Sequence, residues 1–319
     1  MNKFCKIVLI VAGVSAILGG ALLLGGKAMG GTPKFSVNLI SSGQKIVTEK
    51  DIVTGEIPVK DFDSILLDTA SVDVKICKGN ERKVTYSVPE DYIPEVSVDN
   101  KKLHVKQPNV IGGITCSFTT NQYLGYTIYI TDNDEYSADL NSASGEITVD
   151  GVNISGKVSV ASGDVIINNA NSNSIDFSYA SAVMTINNSN ILKASFSGSS
   201  GDINVKNSNF QNVDISVASG ETTFEKSSIA DFISVASSSG DIILSLEKCG
   251  SVKTDSASGE VDLKLPGKMD DYSFNVNTTS GEINVGGVEG DRKLSLNSSS
   301  SKSIVCESTS GDVSVSFAK

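Results

Sequence analysis

Residues 141–149 read NSASGEITV, and that phrase returns along the chain at a nearly fixed interval. It recurs as VASGDVII at 160–167, GSSGDINV at 198–205, VASGETTF at 217–224 and SSSGDIIL at 237–244. SASGEVDL at 256–263, TTSGEINV at 278–285 and STSGDVSV at 308–315 complete the series. Small polar residues lead to a glycine, an acid follows, and apolar residues then occupy alternate positions. A degenerate copy, YASAVMTINN at 179–188, fills the long gap between Gly163 and Gly201 and puts Ala182 in the glycine slot. From Gly145 to Gly281 the steps are then 18, 19, 19, 19, 20, 19 and 22 residues. Self-similarity at this period marks a stacked fold in which each unit buries its apolar edge against its neighbours.

Each copy predicts two short strands. After the turn, Ile147/Val149, Val165/Ile167, Ile203/Val205 and Ile242/Leu244 fall on one side, with Thr148, Ile166, Asn204 and Ile243 between them. Before the turn, Val158/Val160, Ile175/Phe177, Val213/Ile215, Phe274/Val276 and Leu294/Leu296 repeat the alternation. Period two belongs to a half-buried strand, because a helix would place its apolar residues three and four apart. The reading is therefore an all-β, single-domain β-solenoid (β-helix) of about nine coils of ~19 residues. Abundant Ser, Asn and Gly with 6% aromatics and no Trp would suit disorder. A disordered tract, however, has no reason to keep Val and Ile in phase. Gly145, Gly163, Gly201, Gly220, Gly240, Gly259, Gly281 and Gly311 are assigned as turn glycines supplying a positive-φ corner. Asn169, Asn188 and Asn207, and likewise Asn171, Asn190 and Asn209, are 19 apart and predict amide ladders between stacked coils.

Outside the repeats, Ile7 to Gly26 form a 20-residue stretch without charge behind the basic segment MNKFCK. That length crosses about 30 Å of hydrocarbon as one helix, and the order basic segment, apolar run, long domain favours export. The expected organisation is a cytoplasmic tip at 1–6, a transmembrane helix at 7–26 and a linker at 27–54. The exported domain spans 55–319, with a cap and divergent coils at 55–137 and regular repeats at 138–319. A cleaved signal peptide is the competing reading, with Gly26-Lys27-Ala28 as its small-x-small site. The expected location is the cell membrane, single-pass, with the C-terminal domain extracytoplasmic.

DFDSILLDTASVDVKI at 61–76, VSVDNKKLHVKQ at 96–107 and the reiterated SASGEITV and SSGDI phrases together resemble the bacterial "putative adhesin" family. The resemblance covers about residues 55–319, and its motifs are specific for fold and weak for activity. It implies an envelope domain of unknown function that folds as a β-solenoid, often behind one membrane span. It supplies no catalytic residues. The degenerate coil at 179–188 and the irregular end near Ser301 depart from the family pattern.

The acids after the glycines, Glu146, Asp164, Asp202, Glu221, Asp241, Glu260, Glu282 and Asp312, would form a column of like charge. Neighbours about 4.8 Å apart repel by roughly 1 kcal/mol in water. Calcium between coils would offset this, but SGD is not the calcium-binding GGxGxD repeat, and turn hydrogen bonds are the simpler partner. No metal site and no cofactor are expected. Catalysis on polysaccharides would want clustered carboxylates. This chain has one His (His104) and two Arg (Arg82, Arg292), and its acidic knots, Glu49/Asp51, Glu90/Asp91, Asp132/Asp134/Glu135 and Asp270/Asp271, fall at loops. No catalytic residue is assigned. Cys5, Cys77, Cys116, Cys249 and Cys306 contain no CxxC pair and are read as free thiols, with acylation of Cys5 as a membrane-side option. A net charge of −11 argues against nucleic acid as a partner. Tyr123, Tyr126, Tyr129 and Tyr136 cluster at the junction of cap and repeats and are the candidate recognition surface. The expected function is a membrane-anchored, non-catalytic adhesin or envelope-binding module for a cell-wall polymer or envelope protein. The alternatives are an accessory protein of an envelope-stress system and a carbohydrate-active β-helix enzyme.

Overall fold

The computed structural model describes residues 35–40, 43–48, 52–108, 115–117 and 124–318. The expected transmembrane helix at 7–26 and Cys5 lie outside them. Among the described residues no helix is long and apolar enough to cross a membrane. The chain divides into two compact units, the larger formed by residues 54–87, 93–108 and 124–319. In the smaller unit, Phe35–Ile40 pairs antiparallel with Gly43–Thr48 and with Thr115–Ser117. Part of the segment read as a linker is therefore a hairpin.

The larger unit is all-β and solenoid-like, built from two parallel ladders in one sheet. The first ladder stacks the strands that follow each turn. Ile147 pairs with Val165, Val165 with Met184, Met184 with Ile203, Ile203 with Thr222, Thr222 with Ile242 and Ile242 with Val261. Each of these residues is at most 1% exposed. The second ladder stacks the strands that precede the turns, joining Val158, Phe177, Phe196, Ile215 and Val235 in sequence. The alternation that predicted the strands thus aims both ladders at one aliphatic core, where each fully buried Val, Ile or Leu is worth about 1.5–3 kcal/mol. Phe177 and Phe196 stack face to face with ring centroids 4.7 Å apart.

Two corners shape each regular winding. At the glycine corner the backbones of adjacent windings nearly touch. A Cβ on Gly220 would lie 2.2 Å from the carbonyl oxygen of Gly201, and φ there is +124°. Gly145 and Gly163 do not adopt a positive φ. Glycine is required there by the close approach alone, which corrects the uniform positive-φ expectation. At the opposite corner Asn169, Asn188 and Asn207 take φ of 56°, 50° and 50°, and Lys226 takes 49°. Amide ladders run beside this corner: Asn190 donates to Asn171 at 2.8 Å, and Asn209 donates to Asn190 at 2.7 Å. Asn207 donates to Asn188 at a longer 3.4 Å. Inside the corner a buried serine ladder satisfies the backbone. Ser208 Oγ accepts the N–H of Ser189 at 3.1 Å and donates to the carbonyl of Lys206 at 2.8 Å, and Ser189 and Ser227 repeat the pattern.

Chain order and spatial order part at both ends. The last winding, Ser303–Ser310 with Val313–Phe317, does not sit outermost. It lies between the winding of Ile242–Ser258 and Val261–Leu265 and that of Ser273–Ser280 and Ile283–Val285. Val288–Gly290 and Lys293–Leu296, read as part of another sequential coil, instead pair antiparallel with the outermost winding. The N-terminal end follows the same plan. Ser64–Thr69 and Asp73–Lys78 stack against Glu135–Ser142 and Ile147–Asp150 on one side, and against Lys102–Lys106 and Gly125–Ile130 on the other. Lys83–Pro89 and Glu95–Asp99 then pair antiparallel with that outer layer. Covering each end this way occupies edges that would otherwise template pairing with another chain.

Candidate functional site

The tyrosines singled out from sequence do not form an exposed surface. Tyr126 is 0% and Tyr136 1% exposed, Tyr129 is half-buried, and Tyr123 lies outside the described residues. Parity explains this: Tyr126 points inward with Ile128 and Ile130, and Tyr136 with Ala138 and Leu140. Tyr136 Oη donates to Asp132 Oδ1 at 2.8 Å, and Arg82 joins both Asp132 and Asp61. Burial and the bond to Asp132 push the Tyr136 phenol up to about 12. At Asp132 burial acts upward, but hydrogen bonds from Tyr136 and Arg82 outweigh it and hold the carboxyl below its usual value. This acidic knot fastens a loop to the core.

The acid column also has a structural assignment. In spatial order the slot reads Asp73, Glu146, Asp164, Val183, Asp202, Glu221, Asp241, Glu260, Asp312, Glu282. Every Asp accepts the backbone N–H of the residue that follows it in this order, at 2.8–3.0 Å. Glu146 and Glu221 instead accept from Thr148 and Thr223 of their own strands. At Glu146 and Glu221 the carboxylate therefore bonds differently from the aspartates beside it, which reduces the repulsion expected of a straight column there. Among the described residues no group of three or more His, Cys, Asp or Glu lies close enough to hold a metal ion. Cys77, Cys249 and Cys306 are free thiols. Burial raises Cys249 to about 12 and Cys306 to about 11, which removes the thiolate character a nucleophile needs. His104 is half-buried in the strand Lys102–Lys106.

One surface feature breaks the repeat. The winding between Gly220 and Gly240 carries 20 residues where the three before it carry 19. The excess appears as a bulge at Ala230 and Asp231, where the pairing register with Asn209–Ser219 shifts. Gly250 of the next winding accommodates it, since a Cβ there would lie 2.0 Å from the Asp231 carbonyl oxygen. Beside the bulge Phe232 stands 39% exposed on the outer face, in line with Asn212 and Lys193. A second outward row of Asp176, Ser195, Asp214 and Ser234 runs parallel to it. Between the two rows lies a groove of about 400 Å³ floored by Ala194 and Val213. Bulges are over-represented beside functional sites. Sequence reasoning passed over Phe232, although its phase against the inward Ile233 and Val235 was the signal.

The sequence profile of the family described as Toastrack DUF4097 matches residues 62–316. No curated protein matches the chain. Among solved structures, a putative lipid binding protein from Parabacteroides distasonis is 18% identical with a TM-score of 0.51, covering 84% of this chain and 97% of its own. A putative adhesin from the same organism is 12% identical with a TM-score of 0.45, over 84% and 94%. One from Bacteroides fragilis is 13% identical with a TM-score of 0.40, over 83% and 97%. At these identities the first likeness speaks for the fold alone.

Proposed function

The chain belongs to the Toastrack DUF4097 family, a putative-adhesin family of unknown function, and from that premise we propose that it is a membrane-anchored, extracytoplasmic binding module without catalytic activity. The uncharged stretch at 7–26, with Lys3 and Lys6 ahead of it, supports the anchor and its orientation. The acidic knot at Asp132 and Glu135 supports a non-catalytic role, because both carboxylates are engaged by neighbouring side chains and not aimed into a cleft. Their partners are structural: Tyr136 and Arg82 for the first, Ser155 and Asn173 for the second. The observation that carries the binding reading is the outward groove beside Phe232, where an exposed aromatic and polar side chains converge on an otherwise repetitive face. Ligand sites combine apolar surface with a few placed polar groups in this way.

The test incubates purified cell-wall sacculi with the full chain in detergent micelles, alongside protease treatment of intact cells carrying a C-terminal tag. Retention on the sacculi and loss of the tag to external protease are expected. A protein that passes unretained, or a tag protected until the cells are lysed, contradicts the proposal.

A further inference from the structure

We infer that the groove beside Phe232 is a subsite for an uncharged β-1,4-linked glycan strand lying along the stacking direction. This inference rests on the envelope-binding reading above and names the ligand of that site. The outward row alternates carboxylate and hydroxyl, Asp176, Ser195, Asp214, Ser234, one residue per winding. Windings are about 4.8 Å apart, so the two carboxylates recur at roughly 10 Å. An extended β-1,4-linked glycan advances about one sugar per winding and turns the same hydroxyl edge to one side at every second sugar. Carboxylates at that repeat accept paired sugar hydroxyls, and the intervening serines both donate and accept. Phe232 offers its exposed ring at the edge of the same groove, where the apolar C–H face of a sugar stacks. Phe232 is the one aromatic in an outward slot that Ser174, Lys193, Asn212 and Ser251 fill in the neighbouring windings, so the site has a fixed address on a face that would otherwise be degenerate along its length. Charge narrows the class further. A chain of net charge −11, whose groove sets Asp176 and Asp214 against the single Lys193, disfavours phosphate-rich or uronate-rich polymers.

Titration of the full chain in detergent micelles with chitohexaose tests this, with poly(glycerol phosphate) as the anionic comparison. Saturable binding of chitohexaose alone is expected. Phe232→Ala should weaken it about tenfold, equivalent to losing about 1.4 kcal/mol. Ser195→Trp, which fills the groove from its polar row, should abolish it. Both side chains reach the surface, so circular-dichroism melts of the variants should match the wild type. Absence of chitohexaose binding, equal binding by both variants, or binding of poly(glycerol phosphate) alone overturns the inference. If chitohexaose fails while sacculi still retain the protein, only the groove assignment falls. If neither binds, the envelope-binding reading falls with it.

Discussion

At the scale of single residues, the corner slot shows how one position answers to two physical demands. Gly220 combines a φ of +124° with a neighbouring carbonyl 2.2 Å from where its Cβ would stand. Ala182 occupies the same slot without a positive φ, and so carries its methyl at 5% exposure. Gly220→Ala should therefore cost about 3 kcal/mol, from backbone strain together with overpacking. Ala182→Gly should cost about 1 kcal/mol or less, chiefly through chain entropy. Urea unfolding of the two variants measures both, and similar losses would mean that the windings do not approach closely at this corner. The phrase SG-acid made the slot legible in sequence. Which of the glycines need their φ and which need only their missing Cβ was not legible, because that depends on the backbone of the adjacent winding.

At the scale of elements, the strands were legible because alternation carries its own parity. The same parity already places Tyr126 with Ile128 and Ile130, and Tyr136 with Ala138 and Leu140, in the core, so clustering in sequence was a poorer guide than phase. The serine ladder was hidden for the opposite reason. Ser189, Ser208 and Ser227 look like loop residues, yet each is at most 1% exposed and satisfies the backbone of its neighbours. Ser208→Ala removes the acceptor of the Ser189 N–H and leaves that group buried and unpaired. The expected loss is about 1–3 kcal/mol by urea unfolding. Surface serines such as Ser216 should be neutral within about 0.5 kcal/mol when replaced by alanine. Equal effects at Ser208 and Ser216 would contradict the ladder. Phe232 belongs to this scale too: one inserted residue creates a bulge that Gly250 accommodates, and directly after it an aromatic ring occupies the outward slot that Asn212 fills one winding earlier.

At the scale of the whole larger unit, repetition specifies a stack but not the order in which its end windings are laid down. Equivalent strands compete for equivalent partners, and hairpin connections such as Gly286-Gly287 permit a return path that a rigid coil would forbid. The acid slot records the outcome. Aspartate falls at every second place in spatial order, whereas sequence order would set Glu260 beside Glu282. Only the interleaved arrangement gives Asp312 a backbone N–H of Glu282 to accept. The C-terminal winding thus closes a gap between two windings made earlier in the chain, and the stack depends on its last residues.

Disulfide trapping reads that order directly. Ser310 pairs in register with Ser258 on one side and with Ser280 on the other, and all three are exposed. Cysteines in adjacent windings fall within the 4.4–6.8 Å Cα separation a disulfide requires, whereas windings two apart stand about 10 Å from each other. Under mild oxidation, Ser258→Cys with Ser310→Cys, and Ser310→Cys with Ser280→Cys, should each crosslink readily, while Ser258→Cys with Ser280→Cys should not. Rapid crosslinking of the 258–280 pair together with failure of the 258–310 pair would show windings stacked in chain order and contradict the account.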